Sequence, residues 1–531
     1  MRIRLQQVNV PLRYDETLVR REVGRRLGCS PARLGELKIV RRSLDARPRN
    51  PEPVYALLVE VVYPGDRLPL DASRMGLELL PDAEPAPTKP PPLPHPIEPR
   101  PIVVGAGPAG LMAAYTLAMA GARPIQIERG DAAADRAPRA AGFWNEGVLD
   151  PESNDLYGEG GAGLFSDGKL TARSKERGRI REFMELLHDC GADESVLVDA
   201  EPHVGSDALL EIVPRLRKRI EQAGGDVRFR TRLNSLIIED GRLRAVVVNG
   251  IELACDRCIL AVGHSARDVY EMLAAAGVAL TPKPFAVGLR LELPQEAIDR
   301  AQYGKWAGSP LLGAASFRLT RREEYGLRAC YSFCMCPGGK VIACASEPGY
   351  LTTNGMSFSG RHLAWGNAAF LAPVGPTDYP AHAVPALAGM VFQRDLERRA
   401  FEAGDGTYRM PAARLTDFLA GRKPAALPEG GSGDRLAAAD LRHVLPECVT
   451  RTLEKAIPAM LRELNGVRLE DAVVYAPETR SSSPIRIERN EGCESVSTRG
   501  LFPAGEGAGY AGGIVSSALD GMRVAELSLK A

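Results

Sequence analysis

Ile102-Val-Val-Gly-Ala-Gly-Pro-Ala-Gly110 decides how this chain is read. An apolar strand runs into Gly105-x-Gly107-x-x-Gly110, an Ala-rich helix from Leu111 to Ala120 follows, and a second strand ends at Glu128. Each glycine has a separate task. Gly105 makes the tight turn, Gly107 lets a pyrophosphate approach bare backbone, and Gly110 permits close helix–strand packing. The helix N-terminus, with Pro108 and Ala109 in its first turn, offers unpaired N–H groups and a partial positive charge to phosphate. Glu128 stands about 20 residues on, where a carboxylate accepts hydrogen bonds from a ribose diol, with Arg129 beside it. The unit predicts a dinucleotide site in an α/β domain.

Outward from that unit, the chain of 531 residues predicts two or three domains. Lys+Arg and Asp+Glu balance at 67 each, so no global field argues for nucleic acid or membrane. Residues 1–50 are an exception, with thirteen basic residues against five acids. This patch reads as a solvated face, with RNA docking as the sharper alternative. Met1-Arg-Ile-Arg-Leu reads as a strand rather than a leader, and no apolar run is long enough to span a bilayer. Ten irregularly spaced cysteines form neither a disulfide framework nor a metal cluster, so a reducing, cytoplasmic setting and no metal are expected.

Residues 1–80 read as a small α+β module, with strands at Ile3–Val10, Glu36–Arg42 and Val54–Val62 and a helix at Glu16–Leu27. Residues 81–99 read as a stiff linker, because ten prolines fall between Pro81 and Pro101. Residues 100–280 form the first part of the nucleotide domain, including a strand pair turned at Asp240-Gly241. Residues 281–478, less regular and rich in Gly, Pro and aromatics, read as an inserted substrate or cap domain. Residues 479–531 return to the nucleotide domain.

Three further segments choose FAD over NAD. Gly158-Glu-Gly-Gly161-Ala-Gly-Leu-Phe-Ser166-Asp167-Gly-Lys169 is a glycine-dense loop suited to bringing backbone against a ligand. Cys258-Ile-Leu-Ala-Val-Gly263 is a short buried strand ending in glycine. Gly505-Glu506 places a carboxylate at a strand end, and Gly512-Gly513-Ile514 opens a helix that would stabilise negative charge. Together they match the pattern of glutathione-reductase-like FAD domains, with Glu506 where Asp is usual.

The chain resembles, over essentially its whole length, a bacterial family of FAD-dependent dehydrogenases described as NAD(P)/FAD-dependent oxidoreductases. The resemblance is carried by Ser43–Arg47, Gly158–Leu170, Phe285–Arg290, Tyr331–Gly339, Asn354–Ser357 with Arg361, and Glu478–Arg486. It implies a Rossmann-like FAD-binding domain with an inserted α+β cap and a small N-terminal α+β module. It supplies no substrate. The family's acid–His–Pro run after Arg290 is missing here, because Glu292 is followed by Leu293.

The flavin carries the redox chemistry, so the protein's own part is to bind, orient and tune it. Cys255-x-x-Cys258 reads as structural, since no second pair completes a zinc site. Cys334-Met-Cys336 puts two thiols on one strand face and could relay electrons. Arg480 and Arg486 suit a carboxylate or phosphate. Lys169 could lie near the reduced flavin's negative charge, and His264 reads as a turn residue. Between residues 264 and 500 no second Gly-x-Gly-x-x-Gly with a strand and acid occurs, so any NAD(P)H docks transiently. The expectation is an FAD-dependent oxidoreductase acting on a small, possibly anionic, organic substrate, without membrane or nucleic-acid partners. Alternatives are an NAD(P)H-dependent flavin monooxygenase and an RNA- or protein-binding flavoprotein.

Overall fold

The computed structural model describes residues 1–47, 50–65, 76–81, 93, 95, 97–171, 174–324, 326–427, 431–432 and 435–531. Most of the proline tract lies outside the described residues.

The strand Ile102–Val104 is buried on both faces, as a short apolar run in a parallel sheet should be. It lies at the centre of a five-stranded parallel sheet ordered Leu501–Pro503, Cys258–Leu260, Ile102–Val104, Ile125–Ile127 and Asp226–Arg228. Two helices cross close together beneath it, Pro108–Met119 and Ile514–Ser528. Small residues allow that approach: a Cβ built on Gly521 would stand 2.1 Å from the carbonyl oxygen of Ala109. The first and last parts of the nucleotide domain thus share one core. The strands Leu233–Glu239 and Arg242–Val248 pair through Asp240 and Gly241, both at positive φ, and Ile251–Ala254 adds a third strand.

Residues 285–478 are more regular than their composition suggests. They build a seven-stranded sheet ordered Thr320–Arg321, Cys330–Cys336, Trp365–Val374, Phe285–Pro294, Val473–Glu478, Met410–Arg414 and Leu436–Ala438. The helices Ala388–Ala403 and Glu447–Leu461 pack around a second core. The central strand Phe285–Pro294 carries Arg290 and Glu292 fully buried. Arg290 forms a two-pronged pair with Glu478 at 2.9 and 2.7 Å, and Glu292 accepts from the Tyr475 hydroxyl at 2.7 Å. Those partners offset a desolvation cost that would otherwise exclude the two charges from a core strand.

The N-terminal module is a four-stranded antiparallel sheet, ordered Leu37–Asp45, Val54–Val62, Arg2–Pro11 and Leu77–Leu79, with the helix Glu16–Leu27 on one face. Asp15 caps that helix and Gly28 ends it in the left-handed region. The module meets the nucleotide domain where Arg42 Nε lies 2.6 Å from Asp199 and the Ala200 N–H donates to the Arg42 carbonyl. Much of its basic charge is compensated: Arg2 and Arg4 pair with Glu60, Arg20 with Glu16, Arg25 with Glu22 and Arg47 with Asp45. Among the described residues, no helix is long and apolar enough to cross a membrane, and no cluster of His, Cys, Asp and Glu could hold a metal ion.

Candidate functional site

A cleft runs between the C-terminal ends of the parallel strands and the underside of the cap sheet. Its floor includes Gly107, Pro108 and Ala109, facing Gly161–Gly163. Gly107 is the N-cap of the helix Pro108–Met119, and no side chain caps that end. A Cβ on Gly107 would meet nothing nearer than Gly161 Cα at 3.7 Å, so the space above the bare backbone is open. Gly110 does the opposite work. A Cβ there would fall 2.0 Å from the carbonyl oxygen of Gly105, so only glycine lets helix and strand meet. Gly513 and Ile514 open the second helix toward the same cleft, again without a side-chain cap. Two sets of unpaired N–H groups therefore face one space, an arrangement suited to an elongated anionic ligand.

Glu128 lines the cleft and also organises it. Its carboxylate accepts the backbone N–H groups of Ala106 at 2.8 Å, Gly130 at 2.9 Å and Gly158 at 3.0 Å, joining three turns. A carboxylate has about four lone-pair sites, so room is left for a sugar hydroxyl. Arg129 lies over the Tyr157 ring at 4.3 Å and pairs with Glu152 and Asp268, which fixes it as part of the wall. Behind the glycine loop, the fully buried Arg136 donates to the carbonyls of Asn154, Asp155 and Glu159. Sequence reading missed Arg136, because nothing local distinguishes an arginine that gathers a loop some twenty residues away.

At the other end the cleft is walled by Ser166, Asp167, Lys169, Phe333, Cys334, Asn354, Glu478, Arg480 and Glu506. The Ser166 hydroxyl donates to the Gly163 carbonyl at 2.8 Å and shapes the turn. Asp167 is gripped by Ser357 and by Arg361, whose Nε stands 3.1 Å away. The Lys169 ammonium donates to the Met335 carbonyl and lies 3.8 Å from Asp167, a looser attachment. Enclosure pushes the Glu506 carboxyl up to about 7, against the Gly513 N–H and the Lys283 ammonium. Burial, aided by the Arg480 charge, takes His264 down to about 4, and its Nδ1 lies 2.8 Å from Ser265 Oγ, consistent with a neutral turn residue.

Two expected substrate arginines are otherwise engaged. Arg480 reaches the cleft wall, but its guanidinium forms a two-pronged pair with buried Glu397 at 3.0 and 2.8 Å and a bond to Ser346 at 2.8 Å. Burial alone would raise the Glu397 carboxyl, yet Arg267 and Arg480 hold it far below its ordinary range. Arg486 does not line the cleft; its guanidinium stacks on Tyr510 at 5.2 Å. Gly512 also lies outside, exposed, its N–H donating to Ser516 Oγ. Gly505 is not a lining residue either. Its Cβ would meet Ala109 Cβ at 2.6 Å, so it serves helix packing. Gly263 lines the cleft. Cys255 and Cys258 are both fully buried in the sheet, as structural cysteines are.

The two helix ends, the glycine cradle and Glu128 define a flavin dinucleotide-binding protein, and comparison with known proteins agrees. Residues 100–254 match the family described as FAD binding domain, and residues 284–481 match FAD-dependent protein, C-terminal domain-like. Residues 2–62 match a domain of unknown function. An uncharacterised protein of Clostridium beijerinckii is 39% identical over 533 residues, spanning 99% of this chain and 98% of that one. Protein FixC of Escherichia coli K12 is 30% identical over 223 residues, 40% of this chain and 48% of FixC. Glycine oxidase of Bacillus cereus superposes with a TM-score of 0.31 at 13% identity, covering 81% of this chain and 97% of that one. The chain belongs to the same family as the clostridial protein, and it carries an FAD binding domain followed by an FAD-dependent protein C-terminal domain.

Proposed function

We propose that the protein holds FAD along this cleft and passes hydride between the flavin and a small organic substrate enclosed beneath the cap sheet. The observation that carries this reading is the convergence of two uncapped helix N-termini on a cleft whose far wall belongs to the cap. FAD, when bound, supplies the two-electron chemistry. Gly107, Gly161 and Gly513 would hold its phosphates by backbone, and Glu128 a ribose. Glu506, half protonated near neutral pH, can take up or release a proton inside the cleft. With Arg480 and Arg486 committed elsewhere, we assign an anionic substrate group to Lys169, whose ammonium keeps donors beyond the one given to the Met335 carbonyl and sits 3.8 Å from Asp167.

Anaerobic mixing of the yellow protein with NADH, then NADPH, then a panel of small organic acids, amines and alcohols tests this by bleaching of the flavin band. A well-folded preparation that stays colourless after FAD supplementation overturns it. Oxygen uptake coupled to a hydroxylated product would transfer the assignment to a flavin monooxygenase. The pairing of so many N-terminal arginines with module carboxylates speaks for the enzyme reading over RNA docking. Salt-sensitive RNA retention that is lost on deleting residues 1–80 would reverse that preference.

A further inference from the structure

The strand Cys330–Cys336 was expected to present both thiols of Cys334-Met-Cys336 on one regular face. It does not. Phe333 pairs with Ala369 and Cys336 with Asn367, so Cys334 and Met335 together oppose Ala368 alone. This is a β-bulge, and Cys334 sits in it at φ +44°, a conformation that side-chain-bearing residues other than Asn and Asp rarely adopt.

Three contacts impose the bulge. Arg290 Nη1 donates to the Cys334 carbonyl at 3.2 Å, Lys169 donates to the Met335 carbonyl, and the Cys336 thiol donates to the Cys334 carbonyl at 3.3 Å. As a result Phe333 is 40% exposed and Cys334 forms part of the cleft wall beside Asn354 and Glu478. Cys336 is fully buried directly behind.

The two thiols are not equivalent. A hydrogen bond from Cys336 lowers the Cys334 thiol, and the Lys169 and Arg290 charges add to it against burial and Asp167. The same hydrogen bond, together with burial, raises Cys336. Cys255 and Cys258 show a similar split, but both are buried and neither lines this cleft. Access, rather than acidity, therefore separates a packing pair from a reactive one.

We propose that Cys334 and Cys336 are a redox-active dithiol of the cleft wall, with Cys334 attacking a small organic disulfide and Cys336 resolving it. The Cys334 thiolate attacks one sulfur of R–S–S–R, forming a mixed disulfide and releasing RS⁻. The Cys336 sulfur then loses its proton to solvent and attacks Cys334 Sγ, expelling the second RS⁻. Two thiols and one disulfide become the Cys334–Cys336 disulfide and two RSH, and two electrons pass from the pair to the incoming disulfide. Excess external thiol reverses the exchange. The inference goes beyond the proposed hydride transfer, since neither step needs the flavin to react.

The test uses the full FAD-loaded chain equilibrated in glutathione buffers of graded oxidised-to-reduced ratio, quenched with acid, alkylated, digested and mapped by mass. The expected result is a Cys334–Cys336 cross-link that accumulates with oxidation. In Cys336→Ser, glutathione should remain trapped on Cys334; in Cys334→Ser, neither adduct nor cross-link should form. Iodoacetamide at neutral pH should modify Cys334 about tenfold faster than the exposed Cys448, and Lys169→Met should slow that reaction. The flavin spectrum of each sample, recorded first, reads cofactor loss separately from thiol chemistry. If Cys334→Ser fails to fold, the wild-type mapping and the Cys336→Ser trap still decide. Cys334 remaining a free thiol at the most oxidising ratio, or reacting more slowly than Cys448, overturns the proposal.

Discussion

Replacing Gly107 by alanine should separate cofactor binding from folding. Gly107 has φ −76° and ψ −179°, ordinary extended backbone, and its added methyl would find nothing within 3.7 Å. The FAD-free protein should therefore keep its stability to within about 0.5 kcal/mol. The methyl would, however, occupy the gap between Gly107 and Gly161 through which phosphate oxygens reach the helix end. Losing one or two charge-assisted N–H contacts, at about 1.5–3 kcal/mol each, weakens FAD binding by roughly 10-fold to 10,000-fold. Gly110→Ala is the contrast. Its methyl would lie 2.0 Å from the Gly105 carbonyl, so helix and strand must part. That overpacking should cost about 1–3 kcal/mol in the FAD-free protein itself. Thermal melting of stripped protein and fluorescence titration with FAD measure the two quantities independently. A Gly107→Ala protein that binds FAD like wild type, or that melts as early as Gly110→Ala, refutes the reasoning.

Glu128→Ala should cost stability as well as FAD affinity, since three backbone N–H groups lose their acceptor at about 1–3 kcal/mol for each left dry; denaturant unfolding without FAD checks it. Arg290→Leu leaves the Glu478 carboxyl buried without its partner and should destabilise by about 3–5 kcal/mol, with Glu478→Gln recovering part of the loss in a double-mutant cycle. Glu506, raised in the folded state to about 7, contributes stability that is complete below about 4.5 and is lost as pH rises through 7. Melting curves of FAD-free wild type and Glu506→Gln across that window should diverge toward neutral pH, with the variant the more stable above 7. Arg486→Ala should leave flavin retention unchanged, because its guanidinium lies on Tyr510 outside the cleft; a colourless variant would contradict that placement.

What could be read from the chain and what could not divide along the range of the interactions. Ile102–Gly110 announces itself because turn, strand and helix are neighbours, and each glycine answers a local steric demand. The helix Glu16–Leu27 was equally readable from its period, its Asp15 cap and its Gly28 stop. The cap sheet was not. Phe285–Pro294 carries Arg290 and Glu292 at positions that look like solvent faces, yet both are buried against Glu478, Tyr475 and Ser432, residues some 140 to 190 positions away. Arg480 looked like a free anion receptor for the same reason, since Glu397 lies 83 residues upstream and only the fold brings it near. The bulge at Cys334 belongs to this class: the residues that force it, Arg290 and Lys169, come from two other segments.

The strand Leu501–Pro503 and the helix Ile514–Ser528 complete the parallel sheet and supply the second anion-facing helix end, yet they are made only after the whole cap. During synthesis the earlier segments can collapse around their own cores while the pigment-binding groove still lacks one side. A ribosome that stalls before residue 514 would thus hold a chain with its cap assembled and no grip on flavin, and clipping that helix from the folded protein should cost both the cofactor and the stability of the nucleotide domain whose core it shares.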